Sequence, residues 1–342
     1  GIVATGPLDQ TDSEIVTTEE FHYVFWTEHS GGDDRSRLRL ARIQRLSGLL
    51  VDRDSVLVRD QHAIGGLTAV PFGFDVVIAW REVPAPPSPL EPPSWETQVA
   101  VVKNDATFTI VKIPDMDGAS QPAISTAANS LLVTGTDASG KLLMAKFTAA
   151  GALSGPPVLL EKDVAFSDVA AASDGERHLI AASSVSIGFD NSVFLIVVDS
   201  SGDVSRREIF PRSNAVDVAW NGVEHLVAAI DAAGNLRFTR VDRFGGPTGS
   251  AVTMKAFGSG LEVDAVGGMW LIRSTTPSGE TVGVRVSATG QLLDDRPRSF
   301  GTLAALSPTG VGITGQQMPA SPFAPADALF LHNLLPKRRA AR

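Results

Sequence analysis

The segment Leu236-Arg-Phe-Thr-Arg-Val-Asp-Arg-Phe-Gly245 is close to a copy of Leu38-Arg-Leu-Ala-Arg-Ile-Gln-Arg-Leu46, far upstream. Weaker copies are Met144-Ala-Lys-Phe-Thr-Ala-Ala-Gly151, Val197-Val-Asp-Ser-Ser-Gly202 and Val284-Arg-Val-Ser-Ala-Thr-Gly290. Each alternates apolar and polar residues, the period of a strand with one buried face. Each then enters a polar turn with a glycine, whose access to positive φ suits a tight hairpin. A unit this small cannot bury its own apolar face, so such units must stack against one another.

A second pattern precedes each copy: a short apolar strand, a polar turn, and another apolar strand. Asp217-Val-Ala-Trp-Asn-Gly222 leads to His225-Leu-Val-Ala-Ala229, and Asp168-Val-Ala-Ala-Ala-Ser-Asp-Gly175 leads to His178-Leu-Ile-Ala181. The apolar marker of the first strand recurs at Ile15, Leu67, Ala123, Val169, Val218, Val263 and Leu303, at intervals of 40 to 56 residues. Runs such as Val193-Phe-Leu-Ile-Val-Val198 are apolar throughout, as strands covered on both faces are. Residues 35–46 are rich in the helix formers Arg and Leu, but the match to the strand at Leu236 predicts strand here too.

Units of four strands with regular turns predict an all-β chain, a seven-bladed β-propeller of four-stranded antiparallel blades. The blades are expected at 11–60, 61–117, 118–162, 163–211, 212–256, 257–300 and 301–336, with residues 1–9 supplying the outer strand of the last. Residues 337–342 form a basic tail. Trp26 and Trp80 close the second strands of blades 1 and 2 and read as interblade core. On this repeat the chain resembles bacterial extracellular β-propeller repeat proteins in general. It lacks the Gly-His and Trp-Asp pairing of WD40 repeats, the Asp-box of sialidases and a full kelch repeat. The resemblance implies a location outside the cell, in the periplasm or on the envelope.

A net charge of −9 argues against nucleic acid or an anionic membrane surface as partner. No apolar stretch is long enough for a transmembrane helix. The absence of cysteine removes disulfides, thiolate zinc sites and cysteine nucleophiles. The chain starts at Gly1 and is expected to be a processed or trimmed product. No Gly-x-Ser-x-Gly elbow, P-loop or dinucleotide fingerprint occurs in the required context.

Candidate site residues fall in two groups. Loops between the second and third strands are elaborated in blades 7, 1 and 2, and they are expected to form one ridge. It carries Glu28, Asp33, Asp34, Glu82, Trp95, Met318 and Phe323. Long loops on a rigid scaffold are where binding resides. Clustered carboxylates there suit Ca²⁺, but Ser30-Gly-Gly-Asp-Asp34 lacks the alternating spacing of a calcium loop, so no cofactor or metal is expected. The second group, Asp12, His62, Asp117, Asp168 and Asp217, approaches the mouth of the central channel. An Asp at a strand start also serves simply to accept nearby backbone N–H groups. His178 and His225 occupy matching positions and read as part of the repeat.

The reading these features favour is a non-enzymatic propeller that binds a protein or glycan partner with the ridge. The alternatives are a hydrolase or lyase with carboxylates at the channel mouth, and a subunit of a larger assembly. A concave pocket with converging, perturbed carboxylates would mark the enzyme.

Overall fold

A computed structural model describes the backbone of residues 2–6, 9–30, 35–52, 54–84, 94–127, 130–185, 191–255, 259–276, 280–299, 303–306, 311–321 and 324–333. Side chains are described in these ranges except in 2–11, at 30 and 259, and from 303 onward. Among the described residues every regular element is a strand, and the strands pair into seven four-stranded antiparallel sheets. No helix among them is long and apolar enough to cross a membrane.

Six sheets are each built from four consecutive strands. Their innermost strands are Asp9–Thr17, Ala63–Phe72, Ala123–Ala127, Ala165–Ser173, Ser213–Trp220 and Ser259–Val266. Five apolar clusters join these sheets face to face, one at each successive boundary. The packed body that the side chains define is therefore six-bladed, which corrects the seven equivalent blades expected from the repeat. The seventh sheet is a ladder described by its backbone alone. It pairs Leu303–Leu306, Val311–Ser321 and Ala324–Asn333, with Ile2–Gly6 on the outer edge. A strand pattern in sequence reports which segments can pair. It does not report which sheets share a core; the backbone of Leu303–Leu306 lies beside Asp9–Thr17 of blade 1.

Local chemistry explains the repeat. The copies found in sequence are third strands entering one kind of turn, in which the glycine N–H donates to the carbonyl three residues back. Gly151, Gly202, Gly245 and Gly290 do this to Thr148, Asp199, Asp242 and Ser287. These glycines sit at φ between 78° and 91°, where a side chain is strained. The second strands are the most buried: Val76, Val77, Ile78, Ala79 and Trp80 are all inaccessible to solvent. The indole N–H of Trp26 donates to Glu28 Oε1 at 3.2 Å, and that of Trp80 to Glu82 Oε2 at 2.9 Å. A buried indole needs such an acceptor.

Most innermost strands begin with a β-bulge. It falls between Thr11 and Ser13, Gly65 and Thr68, Phe166 and Asp168, Ser213 and Ala215, and Ser259 and Leu261. Bulges bend a strand and re-aim its side chains. Here they set the direction of the residues that follow, which line the channel.

Candidate active site in the central channel

The innermost strands of all six blades enclose a cavity of about 170 Å³. Its wall includes Glu14 from blade 1, Thr68 from blade 2, Gln121 from blade 3, Asp168 from blade 4, Asp217 from blade 5 and Glu262 from blade 6. It is smaller than the roughly 300–1,000 Å³ of a pocket for a drug-sized ligand, so it admits one small polar moiety.

The aspartates of this wall link one blade to the next. Asp168 Oδ2 accepts the N–H of Val216 in the next blade at 3.0 Å, and its Oδ1 accepts its neighbour's N–H, from Val169. Asp217 repeats the arrangement with Val263 at 2.5 Å and Val218 at 2.8 Å. Asp12 reaches the N–H of Gly66 at 3.3 Å. An innermost strand has one unpaired edge, and these carboxylates satisfy part of it. Burial raises Asp168 and Asp217 from their ordinary values, and the N–H bonds pull both back. With their oxygens so engaged, these two are structural clips first.

The remaining acids differ. Burial pushes Glu14 well above the usual carboxylate range. The charges of Glu262, Asp264 and Asp217 push it further, while Arg273 pulls it down. Burial also raises Glu262, against the pull of Arg273, although its side chain opens to the channel. Arg273 lies on the second strand of blade 6, opposite Glu262 in the ladder. Its side chain is 4% exposed; it pairs with Glu262 and binds Asp264 Oδ2 through Nε at 2.6 Å. Burial alone would lower the guanidinium, but Asp264 and Glu262 outweigh that and hold it above its ordinary value. Glu14, Asp217 and Glu262 thus line the cavity from blades 1, 5 and 6, and Arg273 joins Glu262 to Asp264 beside it. Among the described residues no His, Asp and Glu group has the arrangement of a metal site.

The ridge residues are engaged elsewhere. Glu28 lies on a strand and accepts from Arg39 Nε at 3.0 Å. Glu82 is fully buried, with Arg59 Nη2 at 2.6 Å. Trp95 stands beneath the Arg81 guanidinium, 4.7 Å from its ring centre. Residues 316–321 and 324–327, expected as a loop, belong to two long strands in which Met318 pairs with Ala326. Asp33, Asp34, Phe323, the side chain of Met318 and the tail 337–342 lie outside the described residues. Of the residues expected at the channel mouth, Asp117 is exposed and accepts the N–H of Ala138, and His62 is exposed. The sequence reading missed Glu14, Glu262, Asp264 and Arg273. A signal was present: an acid stands just before the marker residue in Glu14-Ile15, Asp168-Val169, Asp217-Val218 and Glu262-Val263.

No protein-family model matches the sequence. No curated protein matches it either. Solved structures do match the fold. The β-propeller domain of the Trilobed protease from Pyrococcus furiosus has a TM-score of 0.57 at 8% identity, over 97% of this chain and 99% of that one. An acylaminoacyl peptidase from Pyrococcus horikoshii has 0.56 at 9%, over 96% of this chain but 52% of the peptidase. A Trypanosoma rangeli sialidase in complex with sialic acid has 0.51 at 11%, over 90% of this chain and 59% of the sialidase. A lectin from Burkholderia pseudomallei matches at 0.50. The chain is thus a β-propeller, and these identities speak to fold alone. The expected non-enzymatic binding scaffold is corrected. Among the described residues the ridge acids Glu28 and Glu82 are paired with arginines, while the raised carboxylates Glu14 and Glu262 line the channel cavity.

Proposed function

We propose that this propeller is a hydrolase or lyase that works by acid–base chemistry at the channel cavity, with Glu14 and Glu262 as its reacting carboxylates. The observation that carries the reading is that these two acids line one small cavity and are both raised by burial, with the Arg273–Asp264 pair next to Glu262. General acid–base catalysis needs a group that holds a proton near neutral pH and a partner that accepts one. Carboxylates in water are fully ionised there, so burial is what makes a carboxylic acid available as a donor. Paired carboxylates of this kind serve glycoside cleavage. The sialidase similarity makes glycosides the first substrates to try, with esters second. The small cavity favours attack on a terminal group over the interior of a long polymer. A site outside the cytoplasm, in the periplasm or on the envelope, fits the extracellular propellers that the repeat resembles.

The test is a panel of aryl glycosides and aryl esters turned over by the wild type, Glu14→Gln and Glu262→Gln. Removal of either group is expected to lower kcat by about 10²–10⁴-fold with circular dichroism unchanged. No turnover across the panel, or turnover indifferent to both substitutions, overturns the reading.

A further inference from the structure

The bulges put blades 1 and 6 in the same register. One residue beyond the bulge, each carries a glutamate facing the channel: Glu14 pairs across the ladder with Phe25, and Glu262 pairs with Arg273. The corresponding second-strand residues of blades 2, 4 and 5 are Ile78, Ala182 and Ala229, opposite Ala69, Val169 and Val216. Phe25, Ile78 and both alanines are fully buried. Blade 6 alone among these five places a guanidinium at this core position, where burying an ion costs several kcal/mol before its partners offset it.

The partners are Glu262 and Asp264, two residues apart on one strand and so on one face of the sheet. Glu14 has no ion pair or hydrogen bond of its own among the described residues. The charges around it are Glu262 and Asp264 of blade 6, Asp217 of blade 5 and Arg273 itself. One cation therefore stands among four acids and touches two of them, leaving Glu14 unpaired opposite Phe25 in the ladder.

We infer that Arg273 is a positioning residue of the channel site: by pairing with Glu262 and Asp264 and leaving Glu14 unpaired, it makes Glu14 the group that carries the exchangeable proton. This deepens the acid–base reading and rests on its choice of site. Glu14 is then the proton donor to a leaving group, and Glu262 the carboxylate that receives a proton or faces the electron-poor centre. The proton that leaves Glu14 returns from the water consumed or from Glu262, so the cycle needs no further reagent.

The experiment is a ¹³C-carboxyl NMR titration of glutamate-labelled protein, with Glu14→Gln and Glu262→Gln for assignment, repeated in Arg273→Lys and Arg273→Met. In the wild type the Glu14 carboxyl is expected to titrate at least one pH unit above Glu262, a tenfold difference in proton affinity. Arg273→Met should close or reverse that gap, and Arg273→Lys should largely restore it. A wild-type Glu14 that titrates at or below Glu262, or a gap that survives in Arg273→Met, overturns the inference. Should Arg273→Met fail to fold, the wild-type order still decides. No substrate is involved, so an inactive panel and a wrong titration order are separate results.

Discussion

Glu14 and Glu82 are both drawn into the interior by strands of neighbouring blades, yet they end in opposite electrostatic conditions. Glu82 is sealed off and spends both oxygens on Arg59 and the Trp80 indole. Glu14 borders the channel cavity, pairs with Phe25 in the ladder and feels the charges of three other acids. The contrast shows that burial does not by itself make an acid reactive. Burial with a contacting cation yields a strut, and burial without one yields a proton reservoir.

The largest effect should come from breaking the strut. Glu82→Ala strands the Arg59 guanidinium and the Trp80 N–H, and is expected to cost about 3 kcal/mol in urea unfolding, somewhat reduced because Arg59 reaches solvent. Glu14→Gln should behave in the opposite way. A carboxyl raised in the folded state binds its proton more tightly there than in the unfolded chain. Its contribution is full below the unfolded value of about 4.3 and is lost as pH rises through the folded value. The variant should therefore gain on the wild type as pH climbs from 4 to 8. Equal losses for Glu82→Ala and Glu14→Gln at pH 7 would erase the distinction.

A second pair sharpens it without charge. His178 and His225 hold matching buried positions, and burial lowers both to about 4. His178 bonds Ser125 Oγ at 2.7 Å and Ser130 Oγ at 2.9 Å. Both ring nitrogens of His225 lack a partner among the described residues, and its ring lies 4.6 Å from that of Trp220. The unfolded histidines take up protons near pH 6.5, before the folded ones. Stability present above that pH is lost as it falls toward 4, by up to about 3 kcal/mol for each ring. At pH 7, His178→Phe should cost about 1–3 kcal/mol by orphaning the buried Ser125 hydroxyl, and His225→Phe should be neutral or slightly stabilising. Thermal melts at pH 7 and pH 5 read both effects; a greater loss at pH 7 for His225→Phe would reverse the assignment.

The smallest effect belongs to the surface. Lys112 pairs with Glu96 at 2.8 Å with more than half of the lysine side chain in solvent. Lys112→Ala should change stability by no more than about 0.5 kcal/mol in the same melts. A larger change would mean that this end of the ridge is more rigid than its exposure implies.

Much of this architecture is local and was legible before any coordinates. Strand alternation, the turn glycines at Gly202, Gly245 and Gly290, and the acid before four of the seven markers, at Glu14, Asp168, Asp217 and Glu262, are each features of a few neighbouring residues. Strand period and turn φ are set over that range. Three things were decided only in three dimensions: which sheets share a core, which carboxylates meet an arginine, and which face each other across the channel. Glu28 and Glu82 read as ridge acids because nothing near them in sequence shows that Arg39 and Arg59 pair with them from adjoining strands. Arg273 lies 259 positions from Glu14 and comes near it only when blade 6 comes round toward blade 1. Charge interactions depend on distance through space and on local dielectric, and neither quantity is written along the chain.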